Sequence, residues 1–452
     1  MRARILRIEL RRSVAVWAAL VIAAAGMFVL FASNEPYGSW MQLIVVSRDI
    51  MQLTWPLALA AGAWQALRER RSRVEELLAS TPRPRWQRVL PAATAMAIAA
   101  VAAYVLMLAG AAGHLRHIDG YFSLGAIPLI ALGALAMVGA VWLGQAIGTL
   151  LPSPLTAPLL AVIGFLGLAV SPMIVAQDSR DPGTFLLFPY LQGPRDGGVA
   201  LQMLSARANL SQALWFVALA ATGLAAFAAA RPWTRVAALL PVVLGAAIAV
   251  PAMPATLSVA WIEDHRALEV VCTDDEPTLC IPRLHAHALD HLRGPAAQAL
   301  SILAARLPPA PTRVLVRSVD RTGAAEPLPP DTLVVTLSSF QDVTEYPPDD
   351  LLWIMLDGAG VPPCGKVKGS EERPDDRYWA ARLVAAAWLL DRDLAAVDRN
   401  GTDRALASDA LADLRGLPAQ VQRARVIALR DAERTCAEGD RLEMLTGASA
   451  SR

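Results

Sequence analysis

The chain has 452 residues, of which 55% are hydrophobic and only 18% are charged, and its formal net charge is +1. Globular proteins usually carry roughly a quarter charged residues, so this composition excludes a wholly cytoplasmic enzyme. A charge so close to zero also excludes a nucleic-acid-binding protein, because such a protein needs a basic surface to attract phosphates.

Charged residues are absent from six long stretches of the first 261 residues and become frequent afterwards. A membrane-spanning helix needs about 20 apolar residues. The sequence therefore predicts an α-helical polytopic membrane domain over 1–261 and a separate domain over 262–452. Seven spans are expected, at about 13–33, 48–67, 89–112, 122–148, 155–177, 208–230 and 236–258.

The first predicted span also has the basic lead and apolar core of a secretory signal peptide. However, Phe28 to Phe31 is bulky where a cleavage site needs small residues, and six more spans follow. An uncleaved first span is the preferred interpretation.

Arginines set the predicted orientation, because short loops rich in basic residues stay in the cytoplasm. Fourteen arginines lie in the N-terminal segment and in the loops at 68–88 and 231–235. The loops of the opposite side hold five, namely Arg48, Arg116, Arg180, Arg195 and Arg207. We therefore expect a multi-pass protein of the plasma membrane with its N-terminus in the cytoplasm and its C-terminal domain outside.

The C-terminal domain is predicted to be an α+β domain. Strands are expected at about Leu268–Thr273, Thr278–Ile281, Thr312–Val319 and Thr332–Ser338. Helices are expected at about His287–Leu307, Asp349–Leu356, Asp375–Leu390 and Thr402–Arg434, the last interrupted near Gly416.

All four cysteines, Cys272, Cys280, Cys364 and Cys436, lie in this domain. An even number in one domain predicts two disulfides, which persist in oxidising compartments. Cys272 and Cys280 flank a polar turn between two strands, so a bridge between them is expected, and Cys364 would then pair with Cys436. The alternative is four reduced, buried thiols.

On one helix, His287 and His291 would share a face, which is a weak two-ligand zinc arrangement. No Glu is placed as in an H-E-x-x-H motif, and the sequence shows no third ligand, so solvent-exposed histidines are the simpler interpretation. The sequence also lacks a nucleophile elbow and a complete phosphate-binding loop. We therefore expect no enzymatic activity and no cofactor, and ATP-driven work would need a separate subunit.

The predicted cytoplasmic loop at 68–88 is the most informative stretch. Val74, Leu77 and Leu78 would lie on one side of a short helix that ends at Thr81-Pro82, with charged residues around them. Such a helix is suited to docking on a partner protein or to lying on lipid headgroups.

This loop reads Glu75-Glu76-Leu77-Leu78-Ala79-Ser80-Thr81-Pro82-Arg83, and here the chain resembles the permease subunits of type-2 ABC exporters. That family places Glu-x-Leu-Leu-x-Thr/Ser-Pro between spans two and three, as a coupling helix that seats in a separate ATPase subunit. The resemblance covers about residues 1–230, including an amphipathic segment at Met1–Arg12 and a long outside segment at 178–207. A seventh span and an added outer domain depart from the family's six-span core. The whole layout looks like actinobacterial permease-like proteins with an extracytoplasmic, cysteine-containing domain.

The resemblance implies a permease dimer, of identical or different chains, that pairs with ABC ATPase subunits and exports an unidentified cargo. The residues expected to contact the ATPase are Glu75, Glu76, Leu77, Leu78, Thr81, Pro82 and Arg83. One alternative is a membrane-anchored extracytoplasmic binding or sensing protein, and a weaker one is a metal-dependent extracytoplasmic hydrolase that uses His287 and His291.

The predicted spans contain no carboxylate and no basic residue near their centres, which argues against an ion-coupled carrier. Thr54, Gln145 and Thr222 are polar residues within them. Each is a candidate hydrogen-bond donor between helices, although simple helix packing is the preferred explanation for each of them.

Overall fold

The computed structural model describes residues 14–32, 37–68, 84–115, 117, 120–175, 183–193, 198–318, 329–337, 343–364, 376–394 and 404–447. The chain divides into two compact units, Met1–Asp264 and His265–Arg452, which we call the N-terminal and C-terminal units. The boundary falls three residues after the predicted one.

Long apolar helices form the N-terminal unit. In chain order they are α1 (Ala15–Ala32), α2 (Trp40–Asp49), α3 (Met51–Ala66), α4 (Arg85–Ala112), α5 (Ala126–Leu150), α6 (Thr156–Val175), α7 (Ala206–Ala228), α8 (Pro232–Ala237), α9 (Leu240–Ala252) and the short α10 (Leu257–Ala260). Among the described residues, α1, α4, α5, α7 and the α8–α9 stretch are each long and apolar enough to cross a membrane, and the bent pair α2–α3 makes a sixth span if counted as one. The apolar part of α6, Thr156–Ser171, is shorter, so the number seven stays a prediction.

The outer surface of the N-terminal unit is apolar. Large side chains such as Trp17, Phe28, Ile163 and Val243 are at least 60% exposed. Within the described part of the chain, the C-terminal unit exposes large apolar side chains only at Val270 and Val421. Because hydrocarbon tolerates an apolar surface that water does not, the N-terminal unit has the character of a helical membrane domain.

The central helix of this unit is α5, which packs against α3 and α7. A methyl group at Gly148 would come within 2.6 Å of the Ala63 carbonyl oxygen on α3. One at Gly223 on α7 would come equally close to the Leu143 nitrogen. Glycines therefore let these helices approach at backbone distance, as is usual where helices associate in lipid.

Residues 14 and 264 lie at opposite ends of the N-terminal unit. The chain after α1 meets the chain after α4, where Tyr37 N donates to His114 O at 3.1 Å, so α1 and α4 run parallel and begin at the same end. At the other end, β1 (Gln202–Leu204) pairs antiparallel with β2 (Trp261–Glu263). Asp264 accepts hydrogen bonds there from Ser123, in the α4–α5 connection. The chain therefore crosses the unit an odd number of times.

The C-terminal unit combines one four-stranded sheet with helices. The strand order is β3 (Val270–Cys272), β4 (Leu279–Pro282), β5 (Arg313–Ser318) and β6 (Thr332–Leu337), with β3–β4 antiparallel and the other pairs parallel. The helices are α11 (His265–Leu268), α12 (Leu289–Arg306), α13 (Pro348–Leu356), α14 (Asp376–Leu390), α15 (Arg404–Arg415), α16 (Ala419–Thr435) and α17 (Arg441–Thr446). Branched and aliphatic side chains of β4, β5 and β6 pack with α12, α13 and α14 into one core.

Candidate functional site

The predicted ATPase-coupling residues lie between α3 and α4. Glu75, Glu76, Leu77, Leu78, Thr81, Pro82 and Arg83 are all outside the described residues, and so is the predicted amphipathic segment Met1–Arg12. The structure describes the residues on either side, Arg68 after α3 and Pro84 before α4. The coupling role of this segment stays a prediction.

A shallow cleft of about 400 Å³ lies at the end of the N-terminal unit where α4 begins. Arg85 and Trp86 line it from α4, and Arg231 and Trp233 line it from the start of α8. Both tryptophans are more than half exposed. Arginine and tryptophan together are typical of helix ends at the boundary between membrane and water, which the structure therefore indicates at this end.

One arginine is completely buried inside the N-terminal unit. Arg48, in the last turn of α2, is 0% exposed. Its Nε donates to Pro189 O at 3.0 Å, and its Nη1 donates to Leu129 O, on α5, at 3.2 Å. Among the residues that the structure describes, Nη2 has no hydrogen-bond partner and no carboxylate forms an ion pair with the guanidinium.

A buried phenol lies beside this arginine. Tyr104, on α4, is 1% exposed, and its Oη makes no hydrogen bond of normal geometry within the described part of the chain. The Ser47 hydroxyl lies near it; it donates to Ile44 O at 2.7 Å, and its oxygen can still accept from the phenol. Gly133, on α5, makes room for both side chains, since a methyl group there would overlap Tyr104 Oη and lie 3.0 Å from Arg48 Cδ.

An aromatic ring and a helix bend complete the surroundings. Arg48 Cζ lies 5.9 Å from the centre of the Phe216 ring on α7, where a cation is attracted to the ring face. Two residues after Arg48, at Ile50, α2 and α3 meet at an angle of 51°. We call Arg48, Tyr104, Gly133 and Phe216 together the Arg48 centre.

Among the described residues, the Arg48 centre has a guanidinium nitrogen without a hydrogen-bond partner, a phenol that contacts only the Ser47 hydroxyl, and a positive charge without a carboxylate partner. Ionisable side chains inside a membrane domain are costly and are typically functional, and broken helices commonly form binding sites in transporters. One charged and one neutral donor suit the oxygens of a carboxylate or a phosphodiester. The centre can therefore hold an anionic group.

The sequence pattern misplaces Arg48. The nearest charge-free stretch begins at residue 50, so the arginine is assigned to an outer loop and the second span is expected to start at 48. In the structure the helical segment begins eight residues earlier, at Trp40, where Ser39 caps α2 by accepting a hydrogen bond from Gln42 N at 3.2 Å. In the sequence, this serine followed by the apolar run at 40–46 is the pattern that would have predicted the earlier helix start and so placed Arg48 within a helix.

The three polar residues predicted to join helices differ in their contacts. Thr222 Oγ1 does join two helices, but as an acceptor, from Val242 N of α9 at 3.0 Å. Thr54 bonds locally, to Ile50 O at 3.5 Å. Gln145 is fully buried on α5, and neither of its amide atoms has a partner among the described residues.

Both expected disulfides are confirmed in the C-terminal unit. The first, Cys272–Cys280, joins directly paired residues of the antiparallel strands β3 and β4. The second, Cys364–Cys436, joins residues that are 72 apart in sequence. All four cysteines are therefore paired, and the alternative of four reduced thiols does not hold in this structure.

The two candidate zinc ligands do not share a helix face. His287 lies in a 3-10 turn at Arg283–Ala288, and α12 begins at Leu289, two residues after the expected start. His291 Nε2 lies 2.9 Å from Tyr346 O. Because a carbonyl only accepts, this nitrogen carries its proton and is unavailable as a metal ligand. Across the described residues, no three His, Cys, Asp or Glu side chains are grouped to hold a metal.

A second buried arginine lies in the C-terminal unit and is fully paired. Arg382, on α14, is 1% exposed and forms ion pairs with Asp357, at 2.7 Å, and with Glu433. Arg441 Nε donates to the other oxygen of Glu433 at 2.8 Å. We call these four residues the Arg382 network.

The Arg382 network is joined to the long disulfide through Tyr378. The Tyr378 hydroxyl donates to Glu433 at 2.9 Å and accepts from the backbone nitrogen of Cys364 at 3.0 Å. Burial raises the pKa of Tyr378 to about 12. The phenol therefore stays protonated at neutral pH and keeps its role as a donor.

Comparison with known proteins brings no further residues to either cluster. No protein-family model, no curated protein and no solved structure matches the chain. The Arg48 centre has unused donors, whereas the Arg382 network has its charges paired. The Arg48 centre is therefore the stronger candidate for a functional site.

Proposed function

We propose that this chain is the membrane-spanning permease subunit of an ATP-driven exporter. A separate ABC-type ATPase hydrolyses the ATP, so the chain itself is not an enzyme. The observation that carries the proposal is the sequence from Glu75 to Arg83, which resembles the coupling helix of type-2 ABC exporters and connects α3 with α4.

The proposal includes seven spans in the plasma membrane of a bacterium, with the N-terminus in the cytoplasm and a C-terminal α+β domain outside. Two chains, identical or different, form the pathway together. The arginine distribution supports this orientation, and so do the two disulfides, since disulfides persist in oxidising compartments.

The coupling segment is linked directly to the Arg48 centre. On one side, α3 runs from it to the bend beside Arg48, and on the other, α4 runs from it to Tyr104. From Arg85 to Tyr104 the distance along α4 is about 28 Å at 1.5 Å per residue. A movement of the segment on ATP binding would therefore change the separation of Arg48 from Tyr104.

Charge reversal in the coupling segment tests the proposal. The full chain is purified from native membranes with an affinity tag, and co-purifying ATPase is identified by mass spectrometry and measured as ATP hydrolysis per mole of chain. We expect Glu76→Arg to lower this activity about tenfold or more, because an interface rejects a misplaced charge. The thermal unfolding midpoint should stay unchanged.

Glu438→Arg is the matched control, because it reverses an exposed carboxylate in the C-terminal unit and should retain the wild-type ATPase activity. Equal ATPase recovery with Glu76→Arg and wild type would contradict the coupling role. If the wild-type chain carries no ATPase at all, the membrane-anchored sensing protein becomes the better interpretation.

A further inference from the structure

Arg48 is shielded from solvent, and no carboxylate among the described residues forms an ion pair with it. Its Nη2 and Tyr104 Oη each expose less than 1 Å². Arg207, in the same unit, also donates to backbone carbonyls, to Ala252 O at 2.7 Å and Met253 O at 3.5 Å. Arg207 is exposed, however, so water can hydrate its charge. The two arginines make similar bonds and differ in solvation, so of this pair it is Arg48 whose charge is neither hydrated nor neutralised by a described carboxylate.

We propose that the Arg48 centre binds the singly charged oxyanion group of an amphiphile, a phosphodiester or a carboxylate. The carbonyls of Pro189 and Leu129 hold Nε and Nη1 and so fix the plane of the guanidinium. Nη2 and the Tyr104 hydroxyl are then left to donate to the two oxygens of the anion. One negative charge neutralises the single positive charge of the centre.

The walls of the centre favour an amphiphile over a small hydrated anion. Phe216 is 2% exposed, and its ring faces the guanidinium, with its centre 5.9 Å from Arg48 Cζ. A strongly hydrated ion would lose its water here with little replacement. An alkyl chain attached to the anion gains from the same apolar surroundings.

Glycine at position 133 is part of the site. Because a methyl group there would overlap Tyr104 Oη and come within 3.0 Å of Arg48 Cδ, any larger residue would push the two donors apart. The bend at Ile50 gives the chain a place to move Arg48 without unwinding α3. Binding at the centre does not depend on the proposed exporter function.

Anion-dependent stabilisation of the purified full chain tests the proposal. The chain in a neutral detergent is titrated with dioleoyl phosphatidylglycerol, and the thermal unfolding midpoint is followed by tryptophan fluorescence. A ligand that binds only the folded state raises this midpoint, so the wild type should respond to phosphatidylglycerol more than to zwitterionic phosphatidylcholine. We expect Arg48→Met to weaken the apparent affinity about tenfold or more, and Tyr104→Phe about threefold.

Arg207→Met is the matched control, because it removes an arginine of the same unit that also binds carbonyls but is exposed. It should respond like the wild type. The proposal is overturned if Arg48→Met binds phosphatidylglycerol as tightly as the wild type does, or if Arg207→Met loses as much affinity as Arg48→Met. Should Arg48→Met fail to fold, unchanged affinity in Tyr104→Phe overturns it, since that variant removes one hydroxyl and little volume.

Two further ligands separate the sources of the anion. Dimethyl phosphate carries the phosphodiester without alkyl chains, and oleate carries a carboxylate with one. A response to phosphatidylglycerol or oleate but not to dimethyl phosphate supports an amphiphile, while an equal response to dimethyl phosphate overturns that part of the proposal.

The two proposals also fail separately. Loss of ATPase recovery in Glu76→Arg with intact lipid binding supports both. If the chain binds lipid but no ATPase co-purifies with it, the anion site is supported and the exporter proposal fails. If an ATPase co-purifies but the chain binds no anion, the exporter proposal is supported and the anion site fails.

Discussion

Two of the arginines that the structure describes are buried to 1% exposure or less, and their surroundings are opposite. In the C-terminal unit, Arg382 forms ion pairs with two carboxylates. In the N-terminal unit, Arg48 has two backbone carbonyls and an aromatic ring, and within the described residues no carboxylate pairs with it. In the C-terminal unit the buried arginine thus joins segments of the fold through ion pairs. In the N-terminal unit the buried arginine keeps a donor and a charge that a ligand could bind.

The difference has a thermodynamic consequence. Removing one partner of a buried ion pair strands the other charge and is strongly destabilising, whereas replacing an uncompensated buried charge with an apolar side chain is often neutral. The two arginines should therefore respond in different ways to the same substitution, and the predictions below probe that contrast.

The largest effect is expected at Arg382. Arg382→Met leaves Asp357 without its ion-pair partner and Glu433 with Arg441 alone, so the free energy of unfolding of the C-terminal unit should fall by about 3–5 kcal/mol. Pulse proteolysis in urea on the full chain in detergent measures this through fragments of that unit. Arg313→Met is the control: its ion pair with Asp331 is about half exposed and should contribute far less than the buried pairs. Similar losses in both variants would mean that the buried network is no stronger than a surface pair.

A smaller, pH-dependent effect is expected at Tyr378. Its pKa in the folded unit is about 12 against an ordinary 10.0. Because the pKa is higher in the folded unit than in the unfolded chain, the neutral phenol stabilises the folded unit. This contribution is complete below pH 10 and is lost as the pH rises toward 12. The urea midpoint of the C-terminal unit should fall over this range by the equivalent of about 1–2 kcal/mol.

Tyr378→Phe should flatten this decline. The chain has six tyrosines and only two lysines, Lys366 and Lys368, so few other groups titrate in this window. The difference in slope between wild type and variant isolates the Tyr378 contribution. Parallel slopes would show that the phenol titrates as it does in the unfolded chain.

The smallest effect on stability is expected at Arg48. Arg48→Met loses two hydrogen bonds to carbonyls but also removes an uncompensated charge. Without added lipid, its free energy of unfolding, followed through the thermal midpoint, should therefore differ from the wild type by less than about 1 kcal/mol. Lipid binding should be lost in the same variant. A large loss of stability in Arg48→Met would instead make it a structural arginine like Arg382, and the contrast between the units would disappear.

Much of the architecture follows from local sequence. The apolar runs predict the long helices, because about 20 residues without charge can satisfy their backbone in lipid only as a helix. The strands β3 and β4 and the Cys272–Cys280 bridge follow from a polar turn between two short apolar stretches. Such features depend on neighbours in sequence and are therefore readable from it. The coupling motif is also a sequence feature, from Glu75 to Arg83, and its function stays a prediction.

Only the tertiary structure decided what the buried charges do. Arg48 looks like a loop arginine in sequence, yet its contacts with Leu129 and Pro189 lie 81 and 141 residues away. Arg382 sits in an ordinary amphipathic pattern, and its partner Glu433 is 51 residues distant. A hydropathy pattern shows whether a segment as a whole lies in water or in apolar surroundings. The environment of a single charged side chain depends instead on which distant groups fold against it. For that reason the sequence determined the division into an apolar and a charged unit, and the fold alone determined that one buried arginine is paired and the other is not.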